Sequence, residues 1–519
     1  MVYLYLILGL FSLFFMGYAP AYFLLAGKGG FKVGSKTVSG RVFIFFISFF
    51  IGALMAMWLF VMLSIADISF TGQIIYGVSA VFFIFYIYNL MSKRYRSRER
   101  KSINRLGRDI AAARESRRIK DKEKYALTDP QPSASITPHI PAIKKKSGES
   151  RMAQVFFIIF TALIIVNFFV VVFLTVLFPI KFWDAISCWS LKGIAFFTDG
   201  IINNFYIAHD YSFSHLSYPL YLPLIQTWLL SWMGQINENI LKVIFPLFYL
   251  SLLSILYYLF KQKMGRLLSI VLVFIVSVLP IIVDHGYIEY TNLLFSVSML
   301  IAIYFFYLAK VMKGKTSFLI LSAIFFSIMA LTRSEGIIYV GLFIIINIIS
   351  CAYGFLRKDR LLKNFLNLIM PMVVFVIFLI PWYLLKIKLG LPILSTEWSS
   401  LLSTDIAHMM MSGFWETVST VGSQLILSVY DSTRAVFGSF YGPIWILMLI
   451  AMLFSFKSHF KDYGWIFFIF LFIGMVSIFI SLVLISDFAN STERYMLHLF
   501  PTAYYWIMSN SIGKSLGKN

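Results

Sequence analysis

The sequence predicts an all-α polytopic membrane protein, and three observations carry that prediction. Hydrophobic residues make up 60% of the 519-residue chain and charged residues only 13%, about half the charged share of an ordinary globular domain. Apolar runs of spanning length recur from one end to the other, and mean hydropathy is +0.84. Basic clusters alternate with these runs in a pattern that fits a single topology. Helices are the expected element, because they keep every backbone polar group satisfied inside lipid without closing a barrel.

About thirteen transmembrane helices follow, at 3–26, 42–66, 73–92, 153–178, 239–260, 267–283, 291–309, 317–332, 336–353, 365–386, 436–456, 464–486 and 497–512. The first has no basic n-region and no small-residue cleavage site, so it reads as a retained helix and not a cleaved signal. The stretch YPLYLPLIQTWLLSWM is apolar but interrupted by Pro219 and Pro223. It reads as an interfacial or partly embedded helix and is not counted as a span.

With thirteen spans every basic cluster falls on one side. These are Lys28, Lys32, Lys36 and Arg41; the 93–151 stretch; Lys261, Lys263 and Arg266; and Lys310, Lys313 and Lys315. Arg357, Lys358, Arg360 and Lys363 continue the series, then Lys457 and Lys461, then Lys514 and Lys518. That side is expected to be the cytoplasm, with the N-terminus out and the C-terminus in. An integral protein of a bacterial plasma membrane is the expected setting.

Net charge is +21, and residues 93–151 hold 18 Lys and Arg against 7 Asp and Glu. No aromatic-interleaved basic fold accompanies this surplus, so nucleic acid is excluded as the expected partner. The stretch reads as a basic cytoplasmic linker, helix-compatible at first and Pro/Ser-rich and partly disordered from Thr128 to Ala142. Attraction to anionic lipid is a secondary effect. Three regions result: a three-helix membrane unit at 1–92, the linker at 93–152, and a larger membrane module at 153–519. Region 1–152 is a candidate contact for a protein partner. Cys188 and Cys351 fall near opposite faces, and without matching His spacing they form neither a disulfide nor a metal motif.

The opposite, extracytoplasmic face is richer in acids and His, and candidate chemistry gathers there. Asp184 lies just past span four beside Trp183, where a carboxylate can act as a general base or simply be a solvated loop acid. His209, Asp210 and His215 could attract a divalent cation, but their spacing matches no firm metal pattern. No metal site is therefore assigned, and no cofactor is firmly implied. Glu289 in GYIEYTNLLFS, Arg333 and Glu335 in LTRSEGIIYV, and Glu493 and Arg494 in STERYMLHLFP each put charge at an outer helix mouth. The bland reading is pairing between neighbours; the functional one is phosphate held at headgroup depth by the planar fork of arginine. Asp405, His408, Asp431 and Arg434 lie in a long outer loop, and their spacing singles none of them out.

Taken in order, these motifs resemble the glycosyltransferase C (GT-C) superfamily of integral-membrane enzymes. They are a juxtamembrane Asp after a span, His-x-x-Tyr-Pro-Leu-Tyr-Leu-Pro from His215, Gly-Tyr-x-Glu from Gly286, Leu-Thr-Arg-x-Glu-Gly from Leu331 and Glu-Arg-Tyr from Glu493. The likeness covers roughly residues 153–512 and is nearest the branch of protein O-mannosyltransferases and aminoarabinose transferases (the family-39-like branch). It implies transfer of a sugar from a polyprenyl-phosphate donor to an extracytoplasmic lipid, polysaccharide or protein acceptor, with inversion. By this resemblance Asp184 is the general base, and Arg333 and Arg494 bind the donor phosphate. His215, Tyr218, Glu289, Glu335 and Glu493 are substrate-site residues. The chain departs from the family pattern in three places. Ala185 follows Asp184 where many relatives carry a second acid, Leu216 replaces the Pro after His215, and Glu289 stands where relatives often have Asp. These departures leave the sugar and any metal requirement open. The alternatives are a transporter or flippase for lipid-linked glycans, which would also need cations at headgroup depth, and a scaffold subunit of an envelope-assembly complex.

Overall fold

The structure, a computed structural model, describes residues 2–26, 38–91, 150–207, 211–312, 316–356, 361–393, 419, 423, 441, 443–460, 463–484 and 488–511. Regular structure among them is helical, with no strand. In chain order the helices are α1 (Val2–Ala26), α2 (Val38–Ile65), α3 (Gly72–Met91) and α4 (Arg151–Leu177). A π-helical turn (Asp184–Ser190) follows, then α5 (Leu191–Asp199), α6 (Asn203–Ile207), α7 (Tyr221–Met233) and α8 (Glu238–Leu241). Next come α9 (Ile244–Lys261), α10 (Arg266–Ser277), α11 (Pro280–Asp284), α12 (Asn292–Val311), α13 (Thr316–Thr332), α14 (Gly336–Leu356) and α15 (Leu361–Lys388). Beyond residue 440 lie α16 (Ile444–Phe454), α17 (Phe456–His459), α18 (Trp465–Leu484) and α19 (Phe488–Ser511). Residues 93–149 of the linker, His209, Asp210, Asp405, His408, Asp431 and Arg434 lie outside the described residues.

Eight of these helices are long and apolar enough to cross a membrane: α1, α2, α3, α4, α9, α12, α14 and α15. Arg266–Ser277, Thr316–Thr332, Ile444–Phe454 and Trp465–Ile478 are apolar but shorter. The protein is thus an all-α polytopic membrane protein. Apolar side chains of α4 such as Ile158, Val166, Phe169 and Phe173 point outward, as expected where the surrounding medium is hydrocarbon and not water. By contrast α12 is almost entirely buried, and it packs against α13 and α19 at the centre of the bundle.

Without a water-driven hydrophobic effect between helices in lipid, close backbone approach supplies much of their attraction. Gly17 and Gly52 provide it for α1 and α2. A Cβ built on Gly52 would overlap the Leu13 carbonyl, and one on Gly17 the Ser48 carbonyl. The Pro-interrupted stretch left out of the span count forms α7, whose 13 residues extend ~20 Å, too short to cross a core of ~30 Å. It is enclosed by protein. Gln226, Thr227 and Trp228 are fully buried, and α7 lies against α1, α2 and α5. A helix apolar all round is stable when protein surrounds it, and period alone does not tell protein from lipid.

The N-terminal helices share one continuous core with the rest. Trp228 Nε1 donates to Ser12 Oγ at 2.9 Å, Tyr221 OH to the Phe50 carbonyl at 2.8 Å, and Trp58 Nε1 to the Ile377 carbonyl at 2.9 Å. Asp67 receives the Asn203 amide at 2.8 Å and pairs with Lys388 at 2.6 Å. Removal of residues 1–92 strips the cover from α7, α9 and α15. The expected outcome is loss of monodisperse protein from detergent extracts, read by size-exclusion chromatography. A well-behaved 153–519 fragment would show that the 1–92 unit is dispensable for folding.

Candidate functional site

The site is built where several helix ends meet. Asp184 opens the π-helical turn, in which the Leu191 amide reaches back to the Ile186 carbonyl. Such turns are rare and recur at functional sites. This one turns Ala185, Ser187, Cys188 and Trp189 inward while the Asp184 side chain stays 44% exposed. Its carboxylate Oδ2 lies 3.0 Å from Nη1 of Arg494 on α19, across a sequence separation of 310 residues. The Arg494 guanidinium in turn sits 5.0 Å from the centre of the Tyr290 ring.

Asn292, at the first turn of α12, is the hub joining the two arginines. Its side-chain amide donates to the Arg494 carbonyl at 2.9 Å, and its Oδ1 accepts from Arg333 Nη1 at 3.3 Å. Arg333, in the turn between α13 and α14, also pairs with Glu335 at 3.0 Å and stacks over Tyr495 at 5.3 Å. Both arginines therefore lie at one end of the bundle and are tied through one buried amide. Arg494 is the more open of the two, with 25% of its side chain exposed against 15% for Arg333.

His215 and Tyr218 key a neighbouring loop to the same turn. His215 has a left-handed backbone (φ 47°), a conformation that costs most non-glycine residues energy and that His tolerates better than β-branched ones. Its ring stacks on Tyr218 at 4.7 Å, and Tyr218 stacks on Trp189 of the π-helical turn at 5.8 Å. The His215 carbonyl accepts the fully buried Lys192 ammonium at 2.9 Å. Burial pushes the Lys192 amine down to about 7. His215 thus shapes the loop.

Glu289 and Glu493 face other partners. The charges that act on Glu289 are Lys242 and Glu238, and Lys242 bonds the Phe178 carbonyl. Burial raises the Glu289 carboxyl to about 7, with Lys242 pulling it partly back. The Glu493 carbonyl accepts the Tyr441 hydroxyl at 2.7 Å. The Glu289 effect has a pH signature. The folded chain holds the proton up to about pH 7, whereas the unfolded chain releases it from pH ~4.5. A folding penalty grows across that window, to about 3 kcal/mol at its upper end. Glu289→Gln should therefore raise the thermal unfolding temperature at pH 8 and leave it unchanged near pH 4.5. An equal shift at both pH values would refute the linkage.

His285 and His498 were not singled out by the sequence. The His285 ring meets Tyr290 at 5.8 Å and its Nδ1 bonds the Ile281 carbonyl at 2.9 Å. Burial, reinforced by Arg494 and Arg333, pushes His285 down to about 4, so it is neutral. His498 packs on Phe295 at 4.4 Å and Tyr495 at 5.5 Å. Tyr290, Asn292 and Tyr495 were also missed, because they are ordinary helix-end residues until the fold brings the arginines to them. Lys192 did carry a signal, as the one cation in LKGIAFF. Cys188 and Cys351 are both free and buried. Among the described residues no three His, Cys, Asp or Glu side chains lie close enough together to hold a metal ion.

Compared with family models, with curated proteins and with solved structures, the chain matches none.

Proposed function

We propose that the chain is a membrane glycosyltransferase that moves a sugar from a polyprenyl-phosphate donor to an extracytoplasmic acceptor with inversion. The reading assigns the site end of the bundle to the outside, with thirteen spans, N-terminus out and C-terminus in. The observation that carries it is the meeting of Asp184 with Arg494, next to the Asn292-linked Arg333. Base and phosphate-binding cation are what such a displacement needs side by side.

Without substrate each of the two neutralises the other. A donor phosphate would compete for Arg494 through the same guanidinium fork, leaving the Asp184 carboxylate to accept a proton. The acceptor hydroxyl gives that proton to Asp184 as its oxygen bonds to the anomeric carbon. The bond from that carbon to the phosphate oxygen breaks, and the electron pair leaves with the phosphate. Arg494 stabilises the charge that develops there. Arg333 is engaged by Glu335, Thr291 and Asn292, so it holds the frame and adds positive potential. A hydroxyl held against the anomeric carbon gains further from orientation alone.

A transporter would need ionisable groups along the middle of its spans. Among the described residues the Asp, Glu, Lys and Arg of the long helices sit in the first or last two turns, which favours chemistry at one face. The test is to supply membranes containing the protein with labelled polyprenyl-phosphate sugars and to follow label into lipid, polysaccharide and protein fractions. Transfer to one fraction names the acceptor. Movement of intact labelled lipid across proteoliposomes with no transfer would replace this reading with the transporter.

A further inference from the structure

Away from the candidate site, a groove of about 550 Å³ opens between α2, α4, α9 and α10. That volume lies within the range of small-molecule sites, roughly 300–1,000 Å³. Its walls are apolar, with Ile164, Leu253, Ile270 and Val273 among them, and its cations are Lys261 and Arg266. Lys261 closes α9 and Arg266 opens α10 on either side of one short turn, so they stand together at one mouth. Arg266 lies 3.7 Å from the centre of the Phe157 ring, and the Lys261 ammonium lies 5.6 Å from that of Tyr257. Aromatic faces thus hold both cations at the rim, where long basic side chains keep their charge in the headgroup layer.

The dimensions fit one leaflet. From Leu250 to Lys261 on α9, the groove follows eleven helical steps, or ~16 Å at ~1.5 Å per residue. This is about half of a ~30 Å hydrocarbon core. The wall helix α4 is largely exposed along its length, so a chain enters from the bilayer without helix rearrangement. We propose that this groove is a binding site for an anionic glycerophospholipid, with an acyl chain between α4, α9 and α10 and the phosphate at Lys261 and Arg266. Charge complementarity selects the headgroup, since basic pockets between transmembrane helices hold anionic lipids. The site is separate from the Asp184–Arg494 pair and does not depend on the catalytic reading. It implies that stability and activity respond to the anionic fraction of the membrane.

Native mass spectrometry of the purified full chain tests this, with phosphatidylglycerol, phosphatidylcholine and a polyprenyl phosphate as probes. Phosphatidylglycerol is expected to be retained about 10-fold or more over phosphatidylcholine. The double variant Lys261→Ala/Arg266→Ala should bring the two lipids level. Thr161→Trp, which fills the groove from α4, should lower retention of both while leaving the cations in place. Equal retention by the unaltered protein, or an unchanged preference in the double variant, would overturn the proposal. Preferential capture of the polyprenyl phosphate would overturn it too, by making the groove a donor site.

Discussion

Asp184→Asn is expected to cut sugar transfer by about 10²–10⁴-fold, the usual contribution of a general base, and to leave the fold standing. Asn keeps the size of Asp184, and its carbonyl oxygen still accepts from Arg494. What it loses is the negative charge and the capacity to take a proton. The ion pair itself is partly exposed, 44% on the Asp184 side, so its share of stability is small, ~0–1 kcal/mol. The variant should accordingly purify and melt like the unaltered protein while failing in the labelled-donor assay. If Asp184 were only a helix-mouth ion pair, transfer would fall by no more than a few-fold.

Much of the fold was legible in the sequence because lipid imposes a severe constraint. A segment must be apolar and long to cross, and composition reports both. Composition does not report what surrounds an apolar segment. The α7 stretch is as apolar as a span yet is enclosed by α1, α2 and α5, and a residue sequence does not say whether its apolar surface meets lipid or protein. The charge pattern set residues 1–92 apart by a linker, and Ser12, Phe50 and Asp67 bond directly to the larger module.

The candidate site divides along a similar line. The sequence could identify Asp184, Arg333 and Arg494 as charged groups at helix mouths, since such groups are conspicuous in apolar surroundings. It could not identify their pairing. Local neighbours alone would join Glu493 to Arg494, yet the structure joins Arg494 to Asp184 at a distance of 310 residues. Asn292 carries no charge and gave no signal, although it contacts both arginines. Its role follows from α12 starting at the level where α13 ends and α14 begins. His215, expected as a substrate-site residue, has a left-handed backbone and stacks on Tyr218, contacts that fix its loop and that its residue type does not announce.

The two arginines therefore predict different failures. Arg494→Lys keeps one positive charge but loses the planar fork, so it should weaken donor binding and slow transfer together. Arg494→Ala removes the cation proposed to meet the leaving phosphate and should cost about 10²–10³-fold in kcat/KM. Neither variant removes the Asn292 bond, because Asn292 donates to the Arg494 backbone carbonyl and not to its side chain. The fold should survive, and loss of activity can be read as chemistry. Arg333→Ala is different, since it leaves the buried Asn292 Oδ1 and Glu335 without their guanidinium, and an orphaned buried polar group is destabilising. Its expected signature is a lower unfolding temperature. A donor concentration series on Arg494→Lys separates the assignments. A raised KM for donor with the acceptor KM unchanged puts Arg494 on the phosphate, whereas an unchanged donor KM would restrict it to orienting Asp184.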